Sequence, residues 1–204
     1  AGFRIAAQDL ETRGAGNLLG KQQSGHIAAV GIDLYTQMME EAVAELKGEE
    51  IAAEPDTQIN LRASAFLPES YIQDTSLRLA AYKELSSAED EAALGQIAAD
   101  LRDRYGPLPE PASNLLEIMS VRIVAKRFRV SRIDGSSIAV TITFAADAAV
   151  APDKVMAMLK RSKGRIKLIP EQALQIALPD PLLRTATDAV KKCLHDLGEW
   201  VINY

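Results

Sequence analysis

Residues 130–144 read VSRIDGSSIAVTITF, and the spacing of apolar residues changes there from a helical to a strand pattern. Residues 130–133 and 138–144 alternate with a period of two on either side of Asp134-Gly135, a dipeptide that favours a tight hairpin. On the N-terminal side the apolar period is close to 3.6, the period of an amphipathic helix. Long helices followed by hairpins predict an α+β fold, a mixed domain of helices packed on a small antiparallel sheet.

The elements predicted outward from this hairpin follow from the same two periods and from the positions of Pro and Gly. Ser87 and Asp90 approximate a capping box for the helix after residue 87, Gly106-Pro107 ends that helix, and Pro152 opens a later one. The predicted helices cover residues 34–47, 74–86, 88–104, 109–128, 152–160 and 182–202, and the predicted strands cover 59–65, 130–133, 138–144, 166–168 and 174–178.

Residues 2–25, GFRIAAQDLETRGAGNLLGKQQSG, form a Gly-rich segment that predicts a helical, Gly-broken hairpin motif before the mixed domain. Gly14, Gly16 and Gly25 permit tight turns or a close backbone approach, while Arg13 and Gln23 supply a charged fork and an amide that both donates and accepts. The spacing matches neither a dinucleotide fingerprint nor a P-loop. The chain alone is therefore not expected to hydrolyse ATP.

This Gly-rich segment resembles the translocation motif of the bacterial transcription-repair coupling factors, and the resemblance extends over essentially the whole chain. Gln73 departs from it, because many relatives carry Pro there. Four downstream segments resemble the C-terminal domain of that family: PDTQINL at 55–61, LPESYI at 67–72, RLAAYK at 78–83 and DRYGPLP at 103–109.

The resemblance implies a C-terminal fragment of an ATP-dependent double-stranded-DNA translocase that displaces stalled RNA polymerase and recruits nucleotide-excision repair. Residues 1–50 would be the translocation motif and helix at the end of the second motor lobe. In that motif Arg13 and Gln23 would couple the nucleotide state to DNA movement, while Gly14, Gly16 and Gly25 let the hairpin swing. ATP and magnesium would act in the parent protein; the fragment itself is expected to hold no cofactor and no metal.

Residues 54–204 would be a regulatory and interaction domain, according to the same resemblance. This domain would cover the repair-recruiting surface until the motor engages, so its partner is the excision-repair damage-recognition subunit or the domain that binds it. We call this intramolecular contact the lock. The acidic residues 89–91 and the basic residues 160–163 are the two candidate contact patches, and the sequence does not choose between them.

Composition leaves two alternatives beside this hypothesis. The net charge of −5 argues against a free-standing nucleic-acid binder, yet two basic clusters keep an independent DNA-binding module open. A small-molecule α+β enzyme is the third hypothesis, for which no convergent polar set is evident. The basic clusters are Lys126, Arg127, Arg129 and Arg132, and Lys160, Arg161, Lys163, Arg165 and Lys167.

The remaining features predict a cytoplasmic piece of a larger protein. The chain begins Ala1-Gly2-Phe3, without an initiator Met, and contains no apolar run long enough for a membrane span. Its lone Cys193 lies in an amphipathic helical pattern, which predicts a small buried apolar residue and suits a reducing compartment.

Overall fold

A computed structural model describes residues 57–148 and 150–198. The Gly-rich motif, the predicted helix over 34–47 and the inter-domain linker that Gly, acidic residues and Pro predict over 48–55 lie outside the described residues. The described residues form five helices and five strands: β1 (Gln58–Asn60), α1 (Thr75–Ser86), α2 (Glu91–Tyr105), α3 (Glu110–Arg127), β2 (Val130–Gly135), β3 (Ala139–Phe144), α4 (Pro152–Arg161), β4 (Ile166–Ile169), β5 (Ala173–Ala177) and α5 (Leu183–Leu197). The predicted α+β class is confirmed.

Backbone contacts divide these residues into two compact units. The helical unit comprises residues 63–119 and contains α1, α2 and the first part of α3. The sheet unit comprises 57–62, 120–148 and 150–198 among the described residues, with all five strands, α4 and α5. The domain boundary near residue 54 stays a prediction.

Side-chain caps set the ends of α1 and α2 in the helical unit. Asp74 accepts a hydrogen bond from the Leu77 amide at 2.9 Å, and Asp90 accepts one from the Ala93 amide at 2.7 Å. Each carboxylate thereby satisfies an amide that has no partner within its helix. Gly106 ends α2 with φ +84°, a conformation that glycine adopts without a steric penalty.

Two details of the helix predictions are wrong. The helical spacing of apolar residues over 74–86 predicts an inward position for Leu77, but it is 52% exposed because the buried face of α1 runs through Arg78, Tyr82 and Leu85. Ser87 does not cap α2: its backbone closes α1, and its hydroxyl donates to the Glu84 carbonyl at 2.9 Å.

The sheet has the strand order β1-β2-β3-β5-β4. Pairs β2–β3, β3–β5 and β5–β4 are antiparallel, as predicted, but β1 pairs with β2 in parallel, so the sheet is mixed. The Thr57 hydroxyl donates to the Val130 carbonyl at 2.8 Å, and the Asn60 amide donates to Asp134 at 2.9 Å. These long-range contacts attach β1 to β2, and no short-range spacing in the sequence could have predicted them.

The predicted β2–β3 hairpin is confirmed, but its turn lies beyond Asp134-Gly135. Both residues belong to β2, where Gly135 pairs with Val140, and the turn is closed by Ser136, whose hydroxyl donates to the Ala139 carbonyl at 2.9 Å. A Cβ on Gly135 would lie 2.8 Å from a methyl of Leu61. The glycine therefore serves the close approach of a neighbouring side chain rather than a turn.

The predicted strand over 59–65 is mostly wrong, since β1 ends at Asn60. Ile59, Leu61 and Ala65 are nevertheless buried, so the alternating pattern reports burial of an irregular segment. The last predicted helix is shorter, because α5 ends at Leu197 with Gly198 as its C-cap. Its predicted remainder, residues 199–202, lies outside the described residues.

Helices α4 and α5 contact the strands and each other, with α5 on β3 and α4 beside β4. The core of the sheet unit includes Val140, Ile142, Leu174, Val190 and Leu194, each at most 1% exposed. Burial of such a side chain stabilises a fold by roughly 1.5–3 kcal/mol. No helix of the described part is long and apolar enough to cross a membrane.

Candidate interaction surfaces

The five predicted motor-coupling residues lie outside the part of the chain that the structure describes. They are Arg13, Gly14, Gly16, Gln23 and Gly25, and their roles stay predictions. The predicted acidic and basic patches lie within the described residues, and the structure shows the exposure and the ion pairs of each patch.

The loop over residues 67–72 is tied to α1 by two buried side chains. The Leu67 amide donates to the Tyr82 hydroxyl at 2.8 Å, and the Arg78 guanidinium donates to the Ile72 carbonyl at 2.7 Å. Arg78 and Tyr82 are 3% and 1% exposed. Two of the four segments that carry the family resemblance, LPESYI and RLAAYK, therefore hold each other in place.

The same loop contacts the end of α2. The Tyr71 hydroxyl lies 3.0 Å from the carbonyl oxygens of both Leu101 and Gly106, to which it donates, and its ring meets that of Tyr105 edge-on at 5.8 Å. The Gly106 carbonyl belongs to the cap of the helix, where no intrahelical donor follows. The DRYGPLP segment thus joins the same network.

Tyr82→Phe is expected to destabilise the helical unit at pH 7 by about 1–2 kcal/mol, because the Leu67 amide loses its acceptor in a buried position. Burial raises the pKa of Tyr82 to about 12, above its ordinary 10. The stabilising contribution of the neutral phenol is fully present below pH 10 and is lost as the pH rises through 12. The stability gap between wild type and Tyr82→Phe should therefore narrow above pH 10, in urea unfolding followed at several pH values.

Tyr105→Phe is the matched control, because Tyr105 is only half-buried. It should change stability by less than about 0.5 kcal/mol. Parallel pH profiles of wild type and Tyr82→Phe would contradict the assignment of this alkaline loss to Tyr82.

The predicted acidic patch lies at the start of α2. Glu89, Asp90 and Glu91 are all exposed, but Asp90 is occupied as the helix cap. Residues 63–119 carry ten Asp or Glu and four Lys or Arg, a net charge of −6. The helical unit is therefore acidic overall, and Glu89 and Glu91 are exposed on either side of the Asp90 cap.

The first predicted basic cluster is partly neutralised. Arg129 pairs with Asp147 and holds the pKa of that carboxyl below its ordinary value, mainly through a side-chain hydrogen bond. Arg132 pairs with Asp134 at 2.8 Å. Two of the four cations in this cluster are therefore engaged within the chain.

The second predicted basic cluster is exposed and surrounds a turn. Lys160, Arg161, Lys163, Arg165 and Lys167 form no ion pair among the described residues. The sheet unit carries 15 Lys or Arg against seven Asp or Glu over its described residues, a net charge of +8. Its basicity is masked in the overall charge of −5.

A cavity of about 300 Å³, the α4–α5 cleft, opens beside this second cluster. Arg161 and Arg165 line it together with Lys192 and Asp196 of α5. Sequence reasoning missed the two α5 residues, because nothing local connects a helical lysine at 192 with a turn 27 positions earlier. Only the packing of α4 against α5 brings them together.

Cys193 lies at the floor of this cleft and is 2% exposed. Burial raises the pKa of its thiol to about 12, with a smaller contribution from Asp196. The predicted reading of Cys193 as a buried apolar residue is therefore confirmed. Among the described residues no cluster of His, Cys, Asp and Glu could hold a metal ion.

Comparisons with known proteins match the segments that connect the 67–72 loop with α1 and the end of α2. A family model described as the TRCF domain matches residues 61–155. A transcription-repair-coupling factor of Myxococcus xanthus is 37% identical over 199 residues, covering 97% of this chain. The chain belongs to the transcription-repair-coupling factor family. A relative of the same name from Haemophilus influenzae is 42% identical over 166 residues, 79% of this chain.

The solved structures provide a neighbour of the same kind. A crystal structure of the C-terminal domain of transcription-repair coupling factor has a TM-score of 0.54 at 20% identity. The match covers 71% of this chain and 94% of the crystallised domain. The likeness shows the fold of a coupling-factor C-terminal domain.

The chain spans a small part of its relatives. It covers 17% of the length of the Myxococcus xanthus protein and 14% of the Haemophilus influenzae protein. The activities and partners of a whole coupling factor are therefore proposals for this chain.

Proposed function

We propose that the chain is the C-terminal part of an ATP-dependent double-stranded-DNA translocase that displaces stalled RNA polymerase and recruits nucleotide-excision repair. The observation that carries this proposal is 37% identity along 97% of the chain with a transcription-repair-coupling factor. In the parent protein, ATP and magnesium drive the motor, and double-stranded DNA and RNA polymerase are its partners. We place it in the cytoplasm, where bacterial transcription and repair occur.

The fragment itself is proposed to regulate and to bind rather than to catalyse. Residues 1–50 couple the motor to DNA, and residues 54–204 form the lock over the repair-recruiting surface. The acidic helical unit and the basic sheet unit each offer a charged surface to a partner of opposite charge. This supports an interaction role, because polar interfaces with complementary charge hold their register and remain releasable.

In the intact protein, Arg13→Ala or Gln23→Ala is expected to slow displacement of stalled polymerase at least about tenfold, or 1.4 kcal/mol, with ATP binding nearly unchanged. The reason is that Arg13 supplies a charged guanidinium and Gln23 an amide that both donates and accepts. Both lie in a Gly-rich segment that has no P-loop, which suits mechanical coupling rather than phosphate binding. Polymerase release from a stalled complex and nucleotide affinity are the two measurements.

Gln22→Ala is the matched control, since it removes the same amide one position away and should leave displacement near wild type. Loss of nucleotide binding in Arg13→Ala or Gln23→Ala would assign these residues to the ATP site instead. Loss of displacement in Gln22→Ala alone would move the coupling role to Gln22.

An independent DNA-binding module remains the alternative, through the two basic clusters. The first cluster supports it weakly, because Arg129 and Arg132 are paired with carboxylates. If DNA binding dominates, retention of the chain on DNA should fall steeply with salt as counterions are released.

A further inference from the structure

We propose that the α4–α5 cleft is a binding site for a short acidic peptide of a partner protein, in which one Leu-sized aliphatic side chain is flanked by Asp or Glu. The aliphatic side chain would enter the cavity of about 300 Å³, and the flanking carboxylates would pair with the cations at its rim. The proposal does not depend on the lock, although Arg161 belongs both to this rim and to the candidate basic patch over 160–163.

The rim is held by a turn with internal hydrogen bonds. The buried Ser162 hydroxyl donates to the Leu159 carbonyl at 2.8 Å and accepts from the Ile166 amide at 3.2 Å. Gly164 closes the turn at φ +86°, and the Arg165 amide donates to the Ser162 carbonyl at 3.1 Å. The backbone that carries Arg161 and Arg165 is therefore organised before any ligand arrives, which lowers the entropic cost of binding.

The charge at the rim selects an anionic ligand. Arg161, Arg165 and Lys192 are exposed and form no ion pair among the described residues, while Asp196 contributes one negative charge, so the lining has a net charge of +2. Guanidinium groups bind carboxylates through paired hydrogen bonds. Clusters of Arg are a recurring means of recognising acidic peptide motifs.

The floor of the cleft selects an apolar group. Met158, Ile176 and Cys193 are 2%, 6% and 2% exposed, and the Cys193 thiol lies 3.7 Å from the Met158 sulfur. Because the thiol stays neutral at physiological pH, the floor carries no charge. The volume is at the lower end for ligand sites and is enough to admit an aliphatic side chain.

Nucleic acid fits this site less well than a peptide. The residues that line the cleft include no aromatic side chain on which a base could stack. A duplex backbone would meet the rim cations but would leave the apolar floor unused, since phosphate and sugar are polar. Only a ligand with both an apolar and an acidic part uses both halves of the cleft.

The test is fluorescence anisotropy of the 204-residue chain with a short labelled peptide of one Leu flanked by Glu on both sides. We expect binding that weakens at least about tenfold when the peptide Leu is replaced by Ser. Arg161→Glu and Lys192→Glu should each weaken it about tenfold or more through charge. Ala189→Phe, at a half-buried residue of the lining, should weaken it by filling the cavity with no change of charge.

Arg184→Glu is the matched control, because Arg184 is an exposed residue of α5 that does not line the cleft. It changes the net charge as much as Arg161→Glu and should leave binding within about twofold. Circular dichroism confirms that each variant is folded. Equal weakening by Arg184→Glu, equal affinity for the Ser peptide, or binding of a short double-stranded DNA in preference to the Leu peptide would each overturn the proposal.

Discussion

Removal of residues 54–204 from the intact parent protein is expected to raise its affinity for the excision-repair damage-recognition subunit by up to about a hundredfold. This size follows from the lock: a closed state populated 99% of the time lowers the apparent affinity by about a hundredfold, or roughly 2.7 kcal/mol. Titration of the subunit against intact and truncated protein measures it. Equal dissociation constants would exclude the lock and leave these residues with a structural or separate docking role.

Charge reversal can locate the contact within the same assay. For the acidic patch the suitable variant combines Glu89→Lys with Glu91→Lys. Asp90 is left unchanged, because loss of that cap would cost about 1 kcal/mol of helix stability. For the basic patch it combines Lys160→Glu with Lys163→Glu, since neither residue lines the α4–α5 cleft. Whichever pair gives part of the gain in affinity forms the lock; a gain from neither would place the contact elsewhere.

Arg78→Ala is expected to destabilise the helical unit by about 3 kcal/mol or more. The substitution leaves the Ile72 carbonyl without its donor in a buried position. It also leaves a cavity beside α1 where the Arg78 side chain was packed. Hydrogen exchange of the amides in residues 67–86 isolates the effect from the sheet unit, and we expect these amides to lose most of their protection.

Arg104→Ala is the matched control for Arg78→Ala, since Arg104 is an exposed arginine of α2. It should change stability by less than about 0.5 kcal/mol. Arg78→Met retains side-chain volume without the guanidinium, so it separates the cavity from the lost hydrogen bond. Unchanged exchange in Arg78→Ala would show that the 67–72 loop is held by other contacts.

Local sequence signals predicted most of the helices. Gly106 and Pro152 each act over one turn of backbone, and the structure places a helix end at each of them. Asp134-Gly135 predicted the correct pair of strands but the wrong turn, because the same dipeptide tolerates the close approach of Leu61. The local signal therefore identified the hairpin correctly, but not the reason why glycine is needed at position 135.

The resemblance segments were recognised in the sequence, but their physical role was not. The sequence places Arg78 and Tyr82 in the predicted helix over 74–86 and Tyr71 before it, whereas the structure connects all three through hydrogen bonds of the 67–72 loop. The hydroxyl and guanidinium groups reach backbone atoms as many as 35 positions away. No periodicity records such a contact.

By itself the sequence determined the α+β class, the helices after residue 74, the β2–β3 hairpin, the β4–β5 strand pair and the membership of the family, because each depends on local periodicity or on matching strings of residues. Only the tertiary structure decided the parallel pairing of β1 with β2, the exposure of Leu77 and the α4–α5 cleft. Strand pairing and helix packing join residues that are distant along the chain, as with β1 and the partner strand some 70 positions later. Burial and charge pairing follow from that packing, so neither can be read from residue order.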